Sequence, residues 1–311
     1  MSKIKVSVVI PCYNYGHLID ETIASVEKQS YKNIEIVIVN DASTDVYTNE
    51  HLSKLSKKYK VVTHKKNKGL PEARNTGVKN SEGDLILTLD SDDKISKYFI
   101  EKIVNKMIST PNAGIGYGKT VYFGDLEGER MLPPFSIGEM LIRNLIPSCA
   151  MFYKSDWEKV GGFKRSMKFG YEDYDFWLSI IEMNKKVVFE PEVIFYYRKH
   201  KQAITQHSIS QMQNEKVDYS LKTIIKNHQA LYIDNMFEFL KAAHNLAIQN
   251  ENLQRIVKER EEHIKYFKKY VREKDEQVKI YKGVVEAYER KRKNFLKLIL
   301  KKLKRLVSKF N

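Results

Sequence analysis

Two patterns of apolar residues divide the chain. In the N-terminal part, short and nearly unbroken β-branched runs alternate with segments of helical spacing; in the C-terminal part, apolar positions recur every three or four residues. Residues 4–10 (IKVSVVI) and 34–39 (IEIVIV) carry almost no polar interruption. Such runs predict strands buried on both faces of a parallel sheet. Between them, Leu18, Ile19, Thr22, Ile23 and Val26 share one helical face, so 18–29 predicts the helix of a right-handed strand–helix–strand crossover. The same logic predicts a strand at 59–64, a helix at 70–80 and a strand at 84–89, an α/β sheet of nucleotide-binding type. Further on, strands are expected at 115–123, 150–153 and 187–197 and a helix at 173–184. Gly- and Pro-containing loops connect them, in a half suited to an acceptor.

From about Ser210 onward only Gly283 interrupts a helical pattern. A heptad can be drawn with Asn250, Val257, Ile264, Val271, Val278 and Val285 at a. Leu246, Leu253, Arg260, Phe267, Lys274, Tyr281 and Tyr288 fall at d. Valine at a suits a two-stranded coil, and Asn250 would fix its register, whereas Arg260 and Lys274 weaken the seam. The expectation is self-association through this coil. Residues 294–311 continue as a cationic amphipathic helix, which predicts contact with an anionic membrane surface. The division expected is a catalytic domain at 1–209, a helical connector at 210–245, a coiled coil or long helix at 246–289 and a basic tail at 290–311.

Composition changes this picture in one respect. The net charge is +15, but ten Lys or Arg and no acid fall between Arg290 and Asn311, so the excess belongs mostly to the tail. No helix-turn-helix, zinc or RNA-recognition motif accompanies it, so nucleic acid is not the expected partner. Cys12 and Cys149 suggest neither a disulfide framework nor a zinc site. The N-terminus reads as a strand rather than a signal peptide, and no run approaches the ~20 apolar residues of a membrane span. The localisation expected is cytoplasmic, peripheral at the inner face of the cell membrane.

The chemistry-bearing residues follow strands. Asp90-Ser91-Asp92-Asp93 comes directly after LILTL; carboxylates crowded at a strand's C-terminal end repel one another unless a hard divalent cation offsets them. Alone, the pattern is common and fits an Asp-rich turn capping a helix at Ile95 better. Asn40-Asp41-Ala42-Ser43 ends the second run, where Asp41 suits a base or ribose contact or a helix cap. Pro11-Cys12-Tyr13-Asn14 ends the first, and the Tyr13 ring suits a base. In the segment 67–75, Arg74 is a candidate diphosphate partner. Tyr171-Glu172-Asp173-Tyr174-Asp175 opens a helix, and its acids fit either dipole complementation or general-base work.

Taken together, VSVVIPCYN, YKNIEIVIVNDASTD, NKGLPEARNTGV, LDSDD, GYEDYDFWLSI and YYRKH resemble the family 2 glycosyltransferases of GT-A fold, over residues 4 to about 205. Asn40-Asp41-Ala42 departs from the family's usual Asp-Asp-Gly. The resemblance implies an inverting, non-processive transfer of a sugar from a nucleotide-sugar, with UDP the expected nucleotide. It implies that Pro11, Tyr13, Asp41, Asn67, Arg74, Asp90, Ser91 and Asp92 bind the donor, and that Asp92 and His200 hold Mn²⁺ or Mg²⁺. Asp173 would be the base; Glu172, Trp177 and Arg198 would contact sugar or acceptor. The acceptor would be a saccharide, a wall polymer or a protein in cell-surface polysaccharide or glycoconjugate synthesis. Rival readings are a nucleotidyltransferase or a dehydrogenase, each lacking its Gly-rich loop after the first strand, and an inactive sugar-nucleotide-binding scaffold at the membrane.

Overall fold

A computed structural model describes the backbone of residues 4–200 and 211–307. The chain divides into two units, Met1–Ala243 and His244–Asn311. The first begins with β1 (Val6–Cys12), α1 (Ile19–Glu27), β2 (Ile34–Asn40), α2 (Val46–Leu55), β3 (Lys60–Thr63), α3 (Leu70–Lys79) and β4 (Leu85–Thr88). Then come β5 (Lys94–Ile95), α4 (Phe99–Ser109), β6 (Ala113–Gly124), β7 (Gly128–Glu129), α5 (Ile137–Ile142), β8 (Met151–Tyr153) and α6 (Lys154–Val160). It continues with α7 (Glu172–Glu182), β9 (Lys186–Lys199), α8 (Gln211–Asn227) and α9 (Gln229–Asp234), and with the start of α10 (Met236–Val307).

Among the described residues all nine strands form one sheet, in the order β3-β2-β1-β4-β8-β6-β9-β5, with β7 paired to β6. β1 to β4 are mutually parallel, and the register Cys12↔Asn40 and Val9↔Thr88 brings three C-terminal strand ends to one edge. This edge exists because β1 is buried at every position, as its unbroken apolar sequence requires. Helix α3 lies so close to the sheet that a Cβ at Gly77 would overlap Val9. β8 runs antiparallel between β4 and β6, and β9 lies parallel to β6 with a register shift between Gly118 and Lys119.

Several elements differ from the sequence expectation. No helix starts at Ile95: Lys94–Ile95 is a short strand paired antiparallel to β9, and the helix begins at Phe99. α2 was missed because its apolar positions are sparse; it is fixed instead by Asp45, whose side chain accepts from Thr48 N at 2.7 Å. α8 packs into the core of the first unit, with Ser220, Ile224 and His228 just beyond its end fully buried at four-residue spacing.

In the second unit the helix α10 continues to Val307. Leu253, Val257, Ile264, Phe267, Val271, Val278, Tyr281 and Val285 are all exposed along it. Among the described residues no helix is long and apolar enough to cross a membrane. Most side chains of the expected basic tail at 290–311, and residues 308–311 entirely, lie outside the described residues.

Candidate active site

The ends of β1, β2 and β4 and the end of β9 enclose a cavity of about 640 Å³. Of the residues expected at the donor site, Pro11, Tyr13, Asp41, Asn67, Asp90, Ser91 and Asp92 line it, as do Arg198 and His200. Cleft formation at a parallel sheet's carboxyl edge is the general rule for open α/β sheets.

Asp41 is held rigidly. Its carboxylate accepts from the backbone N–H of Lys68 at 2.9 Å and of Gly69 at 2.8 Å, and His64 Nδ1 donates to it at 2.6 Å. His64 Nε2 in turn lies 2.8 Å from Thr76 Oγ1. One carboxylate thus ties the end of β2 to the start of α3. The next residue, Ala42, sits at φ 58°, a left-handed backbone that costs any residue with a Cβ about 1–2 kcal/mol. Ala42 stands where glycine would be free of that strain.

The acidic loop after β4 separates into three roles. Asp90 faces the cavity and accepts from Arg74 Nη2 at 2.8 Å. Asp92 Oδ2 lies 2.8 Å from His200 Nε2; burial and the charge of Asp90 push its pKa up, against the opposing pull of His200. Asp93 is fully buried beneath the loop, where its Oδ1 accepts from Arg198 N at 2.7 Å. Burial, with Asp92 and Asp90 adding, raises its pKa well above its ordinary value. Arg198 is bound to the same loop: its Nε donates to Asp92 O at 2.8 Å and its Nη2 pairs with Glu21.

Among the described residues no group of three or more His, Cys, Asp or Glu has metal-ligand spacing. The chain therefore offers the Asp92–His200 pair. That set fits a hard cation whose other positions are filled by phosphate oxygens and water, as Mg²⁺ and Mn²⁺ prefer.

Asp173 stands at the start of α7, half-buried, after a left-handed Tyr171 (φ 67°). Its Oδ2 accepts from Asn144 Nδ2 at 3.1 Å and its Oδ1 from Tyr174 N at 2.8 Å. Burial, then the adjacent Glu172 charge, push its pKa up to about 7 against the pull of Arg74. A carboxylate so tuned is suited to taking a proton near neutral pH.

Three assignments need correction. Arg74 is not a wall of the cavity; it is 1% exposed, and its guanidinium bridges Asp90 and Glu172. Burial pulls its pKa down, and the two carboxylates more than restore it. Glu172 is correspondingly turned inward onto Arg74 rather than toward a sugar. Trp177 is fully buried in the core against Phe152 and Phe176, because it lies on the sheet-facing side of α7. The structure adds residues that were not anticipated. Tyr15 lines the cavity with its ring 5.7 Å from His200, and Tyr197, Lys199 and Leu126 line it too. His64 follows the end of β3, so the strand-end signal extended to it as well. Asn144 lies in a loop with no sequence signal.

Comparison with known proteins decides the family. The model of glycosyl transferase family 2 matches residues 7–177. The chain belongs to glycosyltransferase family 2. An uncharacterized glycosyltransferase of Haemophilus influenzae is 26% identical over 261 residues, 78% of this chain and 79% of the relative. One from Rickettsia typhi is 29% identical over 249 residues, 76% and 77% of the two chains. Among solved structures, S. aureus TarS 1-349 in complex with UDP superposes with a TM-score of 0.53 at 21% identity, covering 70% of each chain. The mannosyltransferase PcManGT from Pyrobaculum calidifontis, solved with GDP-Man and Mn²⁺, gives 0.54 at 20% identity over 81% of this chain and 76% of its own. The fold of this glycosyltransferase is thus GT-A, followed by the long helix α10.

Proposed function

We propose that this family 2 glycosyltransferase transfers a hexosyl or N-acetylhexosaminyl group from a UDP-sugar to an acceptor hydroxyl, with inversion and with Mn²⁺ or Mg²⁺. The observation carrying the reading is the convergence of Asp41, Asp90, Asp92 and His200 on one cavity at the sheet's carboxyl edge, with Asp173 linked to Asp90 through Glu172 and Arg74. Neighbours of the same fold hold UDP, UDP-GlcNAc, or GDP-Man with Mn²⁺.

In this mechanism Pro11, Tyr13 and Asp41 enclose the nucleoside, with Asn67 beside them. Asp92 and His200 would hold the cation, which would supply positive charge toward the departing diphosphate. Arg74 fixes Asp90 on the donor side and Glu172 on the other. Asp173 removes the acceptor hydroxyl's proton as its oxygen attacks the anomeric carbon from the face opposite the leaving group. Asn144 orients the Asp173 carboxylate. The acceptor is a saccharide, wall polymer or protein, and the setting is cell-surface glycan or glycoconjugate assembly at the cytoplasmic face of the membrane.

The test is calorimetry of UDP, GDP, TDP and CDP with and without Mn²⁺, on wild type and Asp92→Ala. Mn²⁺-dependent binding of UDP, weakened at least tenfold in the variant, is the expected result. Tight binding without metal, unchanged in Asp92→Ala, would remove the metal from the mechanism.

A further inference from the structure

The sheet places a histidine directly behind one of the carboxylates that line the cavity. β3 pairs with β2 so that Thr63 stands opposite Asn40, and the next amide, His64 N, donates to Asn40 O at 2.9 Å. The residues that leave the two strand ends, Asp41 and His64, are therefore neighbours, and both are buried. Beyond the imidazole ring stands Thr76 of α3. That helix reaches so far in because Gly77 has no side chain to hold it off Val9. Three groups fall in line: Thr76 Oγ1 lies 2.8 Å from His64 Nε2, and His64 Nδ1 lies 2.6 Å from Asp41 Oδ1.

The chemistry of this line fixes its protons. An ionised carboxylate offers only acceptors, so Nδ1 of His64 carries the hydrogen. Thr76 holds the other ring nitrogen, and with it the plane of the ring. Asp41 Oδ1 also accepts from Lys68 N, so both of its lone pairs are taken. Asp41 Oδ2 accepts from Gly69 N alone among the described residues. Toward the cavity the side chain therefore has one acceptor position left, and no donor.

Nucleobases differ at the edge that such a group reads. Uracil shows a single ring N–H between two carbonyls. Cytosine shows a bare ring nitrogen there, which would meet Asp41 lone pair against lone pair. Guanine shows two N–H groups side by side, a match for both oxygens of a free carboxylate; here one of them would be left without a partner. A buried polar group left unpaired is what rejects an analogue. We infer that His64, braced by Thr76, is the positioning residue that sets base selection. By occupying Oδ1 it leaves Asp41 one acceptor, which takes one imide N–H and favours a uracil nucleotide over a cytosine or guanine one. This rests on the proposed role of Asp41 as a base contact.

The test is calorimetric titration of UDP, CDP and GDP, each with Mn²⁺, into the full chain and its variants. Wild type should bind UDP about tenfold or more tightly than CDP or GDP; a wild type without that preference overturns the inference. His64→Leu removes the N–H and should narrow both preferences about fivefold, mainly through lost UDP affinity. His64→Asn puts an amide N–H where the Nδ1–H stood and should keep them within about twofold. Thr76→Val removes only the brace, with little change of shape, and should narrow them about threefold. If His64 only holds the fold, all three nucleotides weaken together and the preferences stay as in wild type. That result in His64→Leu, or in Thr76→Val should His64→Leu not fold, overturns the positioning role. Asp41→Asn is the separate control: it offers an N–H in place of an acceptor and should move the preference toward CDP. Preferences that ignore Asp41→Asn remove the base contact itself, and the inference with it. Preferences that respond to Asp41→Asn but not to the His64 and Thr76 variants remove the positioning role and leave the base contact standing.

Discussion

The carboxyl of Asp173 must be ionised to accept a proton, and its surroundings place that transition near pH 7. Donor turnover with Mn²⁺ should therefore rise about tenfold per unit below that pH and level off above it, and Asp173→Asn should lose roughly 10²–10⁴-fold. The same shift has a stability side. A carboxyl whose folded pKa lies above its unfolded value of 3.8 favours the fold while protonated, and that contribution fades as pH rises through about 7. Asp173→Asn should consequently be more stable than wild type at pH 8, by about 1–3 kcal/mol, with the gap closing toward pH 4. Urea denaturation at the two pH values measures this. Residue types and order pointed to Asp41 and Asp92, which line the cavity, because polar groups that end apolar strand runs have few structural reasons to be there. Arg74 and Trp177 were misread for a physical reason: sequence gives a residue's element but not whether a long side chain turns into the cleft or beneath it. Arg74 turns beneath, where two carboxylates hold it.

At the scale of elements, α7 carries the proposed base Asp173, and α8 holds this helix from behind. Asn227 Nδ2 donates to Asp175 Oδ1 at 2.7 Å, and His228 lies 3.3 Å from the same oxygen and 2.9 Å from Glu182. Asp175 and His228 are both fully buried. Burial alone would push the His228 pKa down; Asp175 and Glu182 outweigh it and hold it up. The stabilisation from this pair is therefore complete below the ordinary histidine value of 6.5 and is lost as pH rises through the elevated folded one. His228→Leu leaves Asp175 with less compensation and should cost about 3–5 kcal/mol at pH 6 and less at pH 9, read from denaturation midpoints. Strand-rich α/β order was legible because parallel strands must be continuous apolar runs. The latch was not, because a connector helix and a core helix have the same period and only tertiary packing distinguishes them.

For the molecule as a whole, α10 displays an apolar stripe along the second unit. Its heptad spacing matches a seam, and we propose that a second copy of the chain covers it. Truncation after Ala243 should yield a monomer by light scattering, with UDP affinity within twofold of the full chain; a full-length chain that is itself monomeric would dispose of the seam. The sheet carries a different lesson for the whole. β9 is 14 residues long; near its end Tyr197 and Lys199 fall on one face and Arg198 on the other, with His200 following directly after the strand. The register shift between Gly118 and Lys119 sets which is which. Lengthening or shortening the 190–194 stretch by one residue would exchange the two faces, placing a lysine where the imidazole belongs without altering any residue of the site. Natural variation in this enzyme's lineage should accordingly include many substitutions in that stretch and almost no insertions or deletions of odd length.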